Sequence, residues 1–245
     1  MNAVITAGGR VDGEYARVSG SDIKALASVR GETMLQRVIA SLRGAGVSRI
    51  AVVGGEDVRR ACHDAVDAII PESVRGSENV IAGLRAWPED REPLLYATSD
   101  MPYVVPEAVA DFIARAPEGR FALSLCEFQA FAQRFPDAPD GFGITLAGER
   151  VVNGGLFVIP AGHGERLASL AAQFFDARKQ PWRMVRLINL GAVLRFAVGR
   201  LSIAHLEAEA TRIGGVAATA VRECAPELGF DADTAGEYAY ANAHA

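Results

Sequence analysis

The chain has 245 residues, half of them hydrophobic, enough for a substantial core. A formal net charge of −5 argues against the basic surface of a nucleic-acid binder. The cysteines, Cys62, Cys126 and Cys224, show no zinc, redox or disulfide spacing, and the start "MNAVITAGG" lacks the regions of a signal peptide, so a reducing cytoplasm is the simplest location.

Strand and helix alternate from the start. "AVIT" (3–6) is a short apolar run followed by glycines, and 32–46 carries Met34, Leu35, Val38, Ile39 and Leu42 at helical spacing. Buried-strand runs follow at 49–55 and at 67–71, the second stopped by Pro71. Residues 77–87 read as a helix with Ser77 as its N-cap. Then come a strand at 93–99, a helix at 106–116 with Pro106 in its first turn, and a strand at 121–128. This alternation predicts an α/β fold: three α/β/α layers around a mostly parallel, mixed sheet. After the loop 134–143, residues 143–160 read as a hairpin followed by another strand. Residues 161–213 read as mainly helical, 216–224 as a strand, and the C-terminal residues as a helix. No linker separates independent units, so 1–245 reads as one domain with a helical insert at about 163–213. Within it, 184–198 is the most hydrophobic stretch. It is too short and too charged (Arg186, Arg195) to span a membrane and reads as a buried or interface helix pair broken near Gly191.

Three stretches carry chemistry. In "ITAGGRVDGEYARVSGSDIKAL" (5–26) a strand feeds the turn Ala7-Gly8-Gly9, then Arg10, then a long polar loop ending at Lys24. Ligands bind beyond the carboxyl ends of strands in open parallel sheets, and glycines there admit a phosphate that Arg10 and Lys24 can neutralise. The spacing fits neither the P-loop nor the dinucleotide fingerprint. Only two of the 25 basic residues are lysines, Lys24 and Lys179, which reads either as chance or as a place that needs a compact point charge. In "PLLYATSDMP" (93–102), Asp100 stands at the carboxyl end of a strand, on the same sheet edge as Gly8-Gly9. A carboxylate facing a phosphate repels it unless a cation lies between, and Mg²⁺ is the natural choice. In "LGFDADTAGEYAYA" (228–241), Asp231 and Asp233 alternate along an extended segment and point the same way, offering a second carboxylate. Read singly, each stretch is also explained by an ordinary loop, a turn aspartate or an acidic turn.

Together and in this order, the stretches resemble the nucleotidyltransferases of GT-A-like fold that include the molybdenum-cofactor guanylyl- and cytidylyltransferases (MobA-like). "AVITAGGR…KALASVRGETMLQRVIASL", "TSDMP" and "DADTAGEY" carry the resemblance, which covers about residues 1–243. It implies that Ala7, Gly8, Gly9 and Arg10 form the nucleotide-phosphate loop and that Lys24 contacts phosphate. It implies base and ribose contacts from Gly76, Ser77 and Asn79, and a metal held by Asp100 with Asp233, or with Asp231 in its place. Asn153, Gly154 and Gly155 correspond to the acceptor-facing segment. Arg10 follows the glycines directly and the loop is long, which leaves Arg10 and Arg17 both open as the triphosphate grip. The insert has no counterpart in the smallest members, and its Lys179, near Arg178 and Arg183, is an acceptor candidate.

The reaction implied is Mg²⁺-dependent transfer of a nucleoside monophosphate from an NTP to a phosphorylated small-molecule acceptor, releasing pyrophosphate. Competing readings are a GT-A glycosyltransferase using a nucleotide-sugar, and a non-catalytic nucleotide-binding regulatory module. The paired carboxylates argue against the second. No nucleic-acid partner, no transmembrane segment and no peripheral membrane contact are expected; the base, the acceptor and homo-oligomer formation stay open. His63, His163, His205 and His244 fall outside all three stretches and read as surface or structural residues.

Overall fold

The computed structural model describes residues 1–88, 91–177 and 187–244, the side chains at 175 and 176 excepted. One mixed sheet runs β10-β7-β9-β6-β1-β4-β5, with β8 paired to β9. Its strands are β1 (Asn2–Thr6), β4 (Ile50–Gly54), β5 (Ala68–Pro71), β6 (Leu94–Thr98), β7 (Phe121–Glu127), β8 (Ile144–Leu146), β9 (Glu149–Ile159) and β10 (Ala218–Val221). The pairs β1–β4, β1–β6, β4–β5 and β7–β10 are parallel, whereas β9 is antiparallel to β6, β7 and β8. A separate two-stranded ribbon joins β2 (Ser28–Val29) and β3 (Glu32–Thr33). Helices α1 (Gly13–Ser19), α2 (Met34–Gly44), α3 (Glu56–Cys62), α4 (Gly76–Leu84) and α5 (Pro106–Arg115) intervene between the early strands. α6 (Phe128–Arg134), α7 (Gly164–Ala177), α8 (Leu190–Ala197), α9 (Ile203–Gly214) and α10 (Ala235–His244) follow.

The elements form where local chemistry and burial agree. β1 and β4 are apolar on both faces because helices cover both, so they read as continuous hydrophobic runs. α2 starts at Thr33, whose hydroxyl accepts from the Gln36 N–H while the Gln36 side chain accepts from the Thr33 N–H; its buried face is Met34, Leu35, Val38, Ile39 and Leu42. α5 opens on Pro106 as expected. α4 packs close to the sheet at Gly83, where an added Cβ would lie 3.0 Å from Val4 and 3.3 Å from Val53.

Several expectations need correction. Ser77 is not an N-cap: α4 begins at Gly76 after Arg75, and Ser77 is buried in the first turn. Residues 143–160 do not form a hairpin and a further strand, because the second arm of the hairpin runs on as β9 over eleven residues, from Glu149 to Ile159. The "long loop" after Arg10 contains α1, whose one buried residue, Tyr15, leaves no apolar periodicity to read. Over the described residues 187–198, the buried alternative of the buried-or-interface reading fails: α8 buries Ala192, while Leu190, Leu194, Phe196 and Val198 are each more than half exposed. Residues 178–186, which hold Lys179, lie outside the described residues.

Candidate functional site

Parallel pairing of β1, β4 and β6 brings their carboxyl ends to one edge of the sheet. β1 hands over to Ala7, fully buried, whose N–H donates to the Val53 carbonyl at 2.8 Å. At Gly8 an added Cβ would run into the Glu72 carboxylate and come within 3.2 Å of Asn79 Nδ2, so any side chain here displaces the Glu72 tip and presses on Asn79. The excursion from Arg10 to Ile23 folds back on itself. An antiparallel bridge joins its ends, Val11 N–H donates to Asp22 O (2.9 Å), and Lys24 N–H donates to Gly9 O (2.9 Å). Residue 24 is thereby set beside the glycine turn despite the fourteen residues between Gly9 and Lys24.

The Lys24 ammonium lies between two carboxylates and forms ion pairs with both Asp100 and Asp233. Asp100 is carried just past the end of β6. The third partner arrives from the far end of the chain. Its segment is pinned by Phe230, fully buried in an aromatic cluster with Tyr103, Phe135, Phe142 and Tyr240 at ring-centroid distances of 4.8 to 5.6 Å. Ala232 then docks: its N–H donates to the Asp100 carbonyl (3.1 Å) and its carbonyl accepts from the Tyr15 hydroxyl (2.9 Å). Glu237, buried, accepts from the N–H groups of Asp233 (2.8 Å) and Thr234 (2.7 Å), while Thr234 Oγ1 accepts from the Glu237 N–H (3.2 Å). This reciprocal cap starts α10 and fixes the turn that presents Asp233.

The charges are strongly unequal in environment. Burial opposes the Asp100 charge, but the adjoining Lys24 ammonium outweighs it and holds the carboxyl below the usual carboxylate range. Burial likewise opposes the charge on Lys24, and the two carboxylates overcome it, so its pKa is raised and it stays protonated. Asp231 has no such cation of its own. Burial, then the charges of Asp233 and Asp100, push its pKa up to about 7. Asp231 therefore feels the charges of both Asp233 and Asp100 at this edge.

A hard divalent cation fits these residues. Asp100 Oδ1 is buried without a hydrogen-bond partner among the described residues, an arrangement that costs free energy unless a cation or donor meets it. No group of three or more His, Cys, Asp or Glu side chains is arranged to hold a metal among the described residues. Two carboxylates with the remaining positions left to water and phosphate oxygens is the donor set Mg²⁺ takes, rather than that of zinc or calcium. A cation already stands between Asp100 and Asp233 here, in the form of the Lys24 ammonium.

The other sequence-derived residues fall into place unevenly. Arg10 is on the glycine edge but is ion-paired with Glu72. Arg17 is exposed on α1 and pairs with Glu14 at 3.7 Å. Asn79 lies beside Gly8, yet its side-chain oxygen accepts from Ser73 N–H (2.6 Å) and its amide donates to Ser73 O (3.2 Å), so it also shapes the turn into α4. Gly76 sits at the start of that helix. In β9, Gly154 and Gly155 are required by packing. A Cβ on Gly154 would collide with the Ser124 hydroxyl, and one on Gly155 would come 2.5 Å from Thr98 Oγ1 and 2.6 Å from Met101 Sδ. Asn153 beside them is exposed. The four histidines lie elsewhere: His63 ends α3, His163 meets the Ala161 carbonyl, His205 caps α9, and His244 stacks on Tyr240. Sequence reading missed Glu72, Tyr15 and Glu237. Glu72 had a signal, since it directly follows the β5 strand as Asp100 follows β6; Tyr15 had none.

Residues 3–185 match the MobA-like NTP transferase domain. The chain belongs to that family. It is a nucleotidyltransferase by family and by fold. A protein of Thermus thermophilus described as a hypothetical transferase superposes with a TM-score of 0.83 at 29% identity, covering 97% of this chain and 98% of that one. A nucleotidyl transferase from Methanothermobacter thermautotrophicus (TM-score 0.59, 18% identity, 99% and 96% covered) shares the fold. So does 4-diphosphocytidyl-2C-methyl-D-erythritol synthase from Anaerococcus prevotii (TM-score 0.56, 11% identity, 99% and 96% covered). Among curated proteins, the bifunctional protein GlmU of Xanthobacter autotrophicus is 32% identical over 149 residues, 57% of this chain. The match spans about a third of the length of that relative (32%).

Proposed function

We propose that the chain moves a nucleoside monophosphate from an NTP to a phosphorylated small-molecule acceptor, releasing pyrophosphate, with Mg²⁺ as its cofactor. The observation that carries the reading is the cation-bridged pair Asp100 and Asp233, set on the same sheet edge as the Gly8–Gly9 turn. Simple nucleotide binding does not need two carboxylates at an edge that must also accept a polyphosphate. When bound there, Mg²⁺ would neutralise phosphate charge and orient the phosphate chain.

In this reading an acceptor phosphate oxygen attacks the α-phosphorus in line. One P–O bond forms to the acceptor as the α–β bridging bond breaks, and its electron pair leaves on pyrophosphate. The work of the chain is positioning and charge neutralisation. The Gly8–Gly9 backbone admits the phosphates closely. Arg10, released from Glu72, and Lys24, released from the carboxylates, are the cations that would meet the growing negative charge. Asp100 and Asp233 would hold the metal. A phosphate acceptor is already ionised at neutral pH, so no general base is needed, in keeping with the positions of the four histidines. NTP supply and three free, buried cysteines fit a reducing cytoplasm.

The test is a thermal-shift panel of ATP, GTP, CTP and UTP, each with and without Mg²⁺, on wild type and Asp100→Asn. One NTP should stabilise the wild type only with Mg²⁺, and the variant should lose that response. If no nucleotide shifts the wild type, or if Asp100→Asn responds equally, the reading is wrong.

A further inference from the structure

A cavity of about 320 Å³ lies between the C-terminal half of the sheet and the helical insert. Its floor is Leu123, Leu125, Val151 and Ala220; its roof is α9, through Leu206, Ala210 and Ile213. The two carboxylates on its wall are already engaged. Glu207 accepts from Ala220 N–H (2.8 Å), and Glu209 accepts from Asn189 N–H (2.6 Å) and from the Arg212 guanidinium. Among the described residues, what remains facing the space is mainly hydrocarbon. Floor and roof come from the same chain, and the volume is that of a small-molecule site rather than of a groove for a helix.

The cavity adjoins the candidate active edge. Asn153 lines it. β9 pairs with β6 with Ala97 opposite Leu156. Continuing that antiparallel register sets Gly155 against Thr98, as their close approach shows, so Asn153 lies two residues further along β9, at the carboxyl end of β6 beyond which Asp100 emerges. On the other side, Asn153 pairs with Leu125 of the cavity floor. One residue therefore belongs both to the edge where the metal-binding carboxylate emerges and to the mouth of the apolar space.

Building on the nucleotidyl-transfer reading, we propose that this cavity holds the acceptor's apolar part, and that the acceptor is a phosphate monoester bearing a hydrocarbon chain. Its phosphate meets the nucleotide at the Asp100 edge while its chain runs past Asn153 under α9. A polar acceptor such as a sugar phosphate would leave this space to water, with few polar groups to bind it. The outer face of α8 and the residues just after it, with Leu190, Leu194 and Val198 exposed alongside exposed Arg195 and Arg200, are compatible with an amphiphile taken either from solution or from a bilayer surface.

The probes are ethyl, butyl, hexyl and octyl phosphate, titrated calorimetrically below their micellar concentrations into wild type, Ala210→Phe and Leu206→Asp. The first variant fills the cavity. The second places a charge at a rim position already 36% exposed, where folding is not at risk. Burial of methylenes predicts about fourfold tighter binding per CH₂ until the space is full, and both variants should flatten that series. Their response to NTP and Mg²⁺ should match the wild type, since neither residue is in the proposed catalytic set. Phosphatidic acid in phosphatidylcholine vesicles separates the sources: pelleting that Ala210→Phe abolishes names a bilayer, and a steep alkyl series without pelleting names a free amphiphile. Equal affinity for ethyl and octyl phosphate, or wild-type octyl binding by both variants, overturns the proposal. A flat series with an intact NTP response sinks the cavity alone. A steep series with no NTP response leaves the cavity as a site and sinks the transferase reading.

Discussion

Replacing Lys24 by methionine should expose how much of the site is held by charge. Its side chain is 12% exposed, and its ammonium bridges the side chains of Asp100, 18% exposed, and Asp233, 63% exposed. The two carboxylates will respond differently. Asp233 can rehydrate, so its share is worth less than about 1 kcal/mol. Asp100 cannot. One of its oxygens already lacks a partner among the described residues, and removing the lysine leaves a buried carboxylate uncompensated, which costs about 3–5 kcal/mol. For a chain of this size that is a fall in Tm of roughly 6–20 °C. The double variant Lys24→Met/Asp100→Asn should recover most of the loss, because it removes the stranded charge together with its partner. Mg²⁺ should stabilise Lys24→Met more than the wild type, since the metal then enters a place the ammonium has vacated. Urea unfolding followed by circular dichroism, at constant m-value, measures all three. The reasoning is refuted if Lys24→Met unfolds within about 0.5 kcal/mol of wild type, or if the double variant is no more stable than the single one.

Phe230→Ala should cost about 3–5 kcal/mol in the same assay, because it empties the centre of the aromatic cluster. It should also weaken NTP·Mg²⁺ binding by loosening the segment that carries Asp233. Gly154→Ala should destabilise by about 1–3 kcal/mol through its collision with Ser124, and Ser124→Ala in the same chain should restore much of this. Asp67 tests pH dependence away from the site. Desolvation opposes its charge, but the Ile50 N–H (2.7 Å) and the Arg43 guanidinium (2.6 Å) hold its carboxyl below the ordinary range. A depressed folded-state pKa gives stability that is complete above the unfolded value near about 4 and is lost as the pH falls through the folded one. Asp67→Asn should therefore cost about 1 kcal/mol at neutral pH and flatten the acid limb of a stability–pH curve.

Most of the sheet was legible because buried strands and amphipathic helices leave strong periodic signals, as in β4 and α2. The glycine turn, Lys24, Asp100 and the "DAD" segment were legible because each stands at a strand end or beside a turn, where side-chain chemistry has no packing reason to be. What escaped was set by tertiary contact. Nothing local marks Tyr15 as the donor that docks Ala232, and α1 is too short to show a period. α8 misled because its apolar residues are on its outer face, where hydrophobicity does not report burial. The glycines of β9 read as functional, and their packing against Ser124, Thr98 and Met101 became visible only once β7 and β6 lay on either side.

The most direct test of the central claim is a crystal structure with the stabilising NTP, or its non-hydrolysable α,β-methylene analogue, and Mn²⁺ in place of Mg²⁺. The account predicts an anomalous peak between Asp100 and Asp233, with the Lys24 ammonium turned away from them onto the phosphates over Gly8 and Gly9. A nucleotide bound elsewhere, or one bound at this edge with Lys24 still bridging both carboxylates and no metal between them, would contradict it.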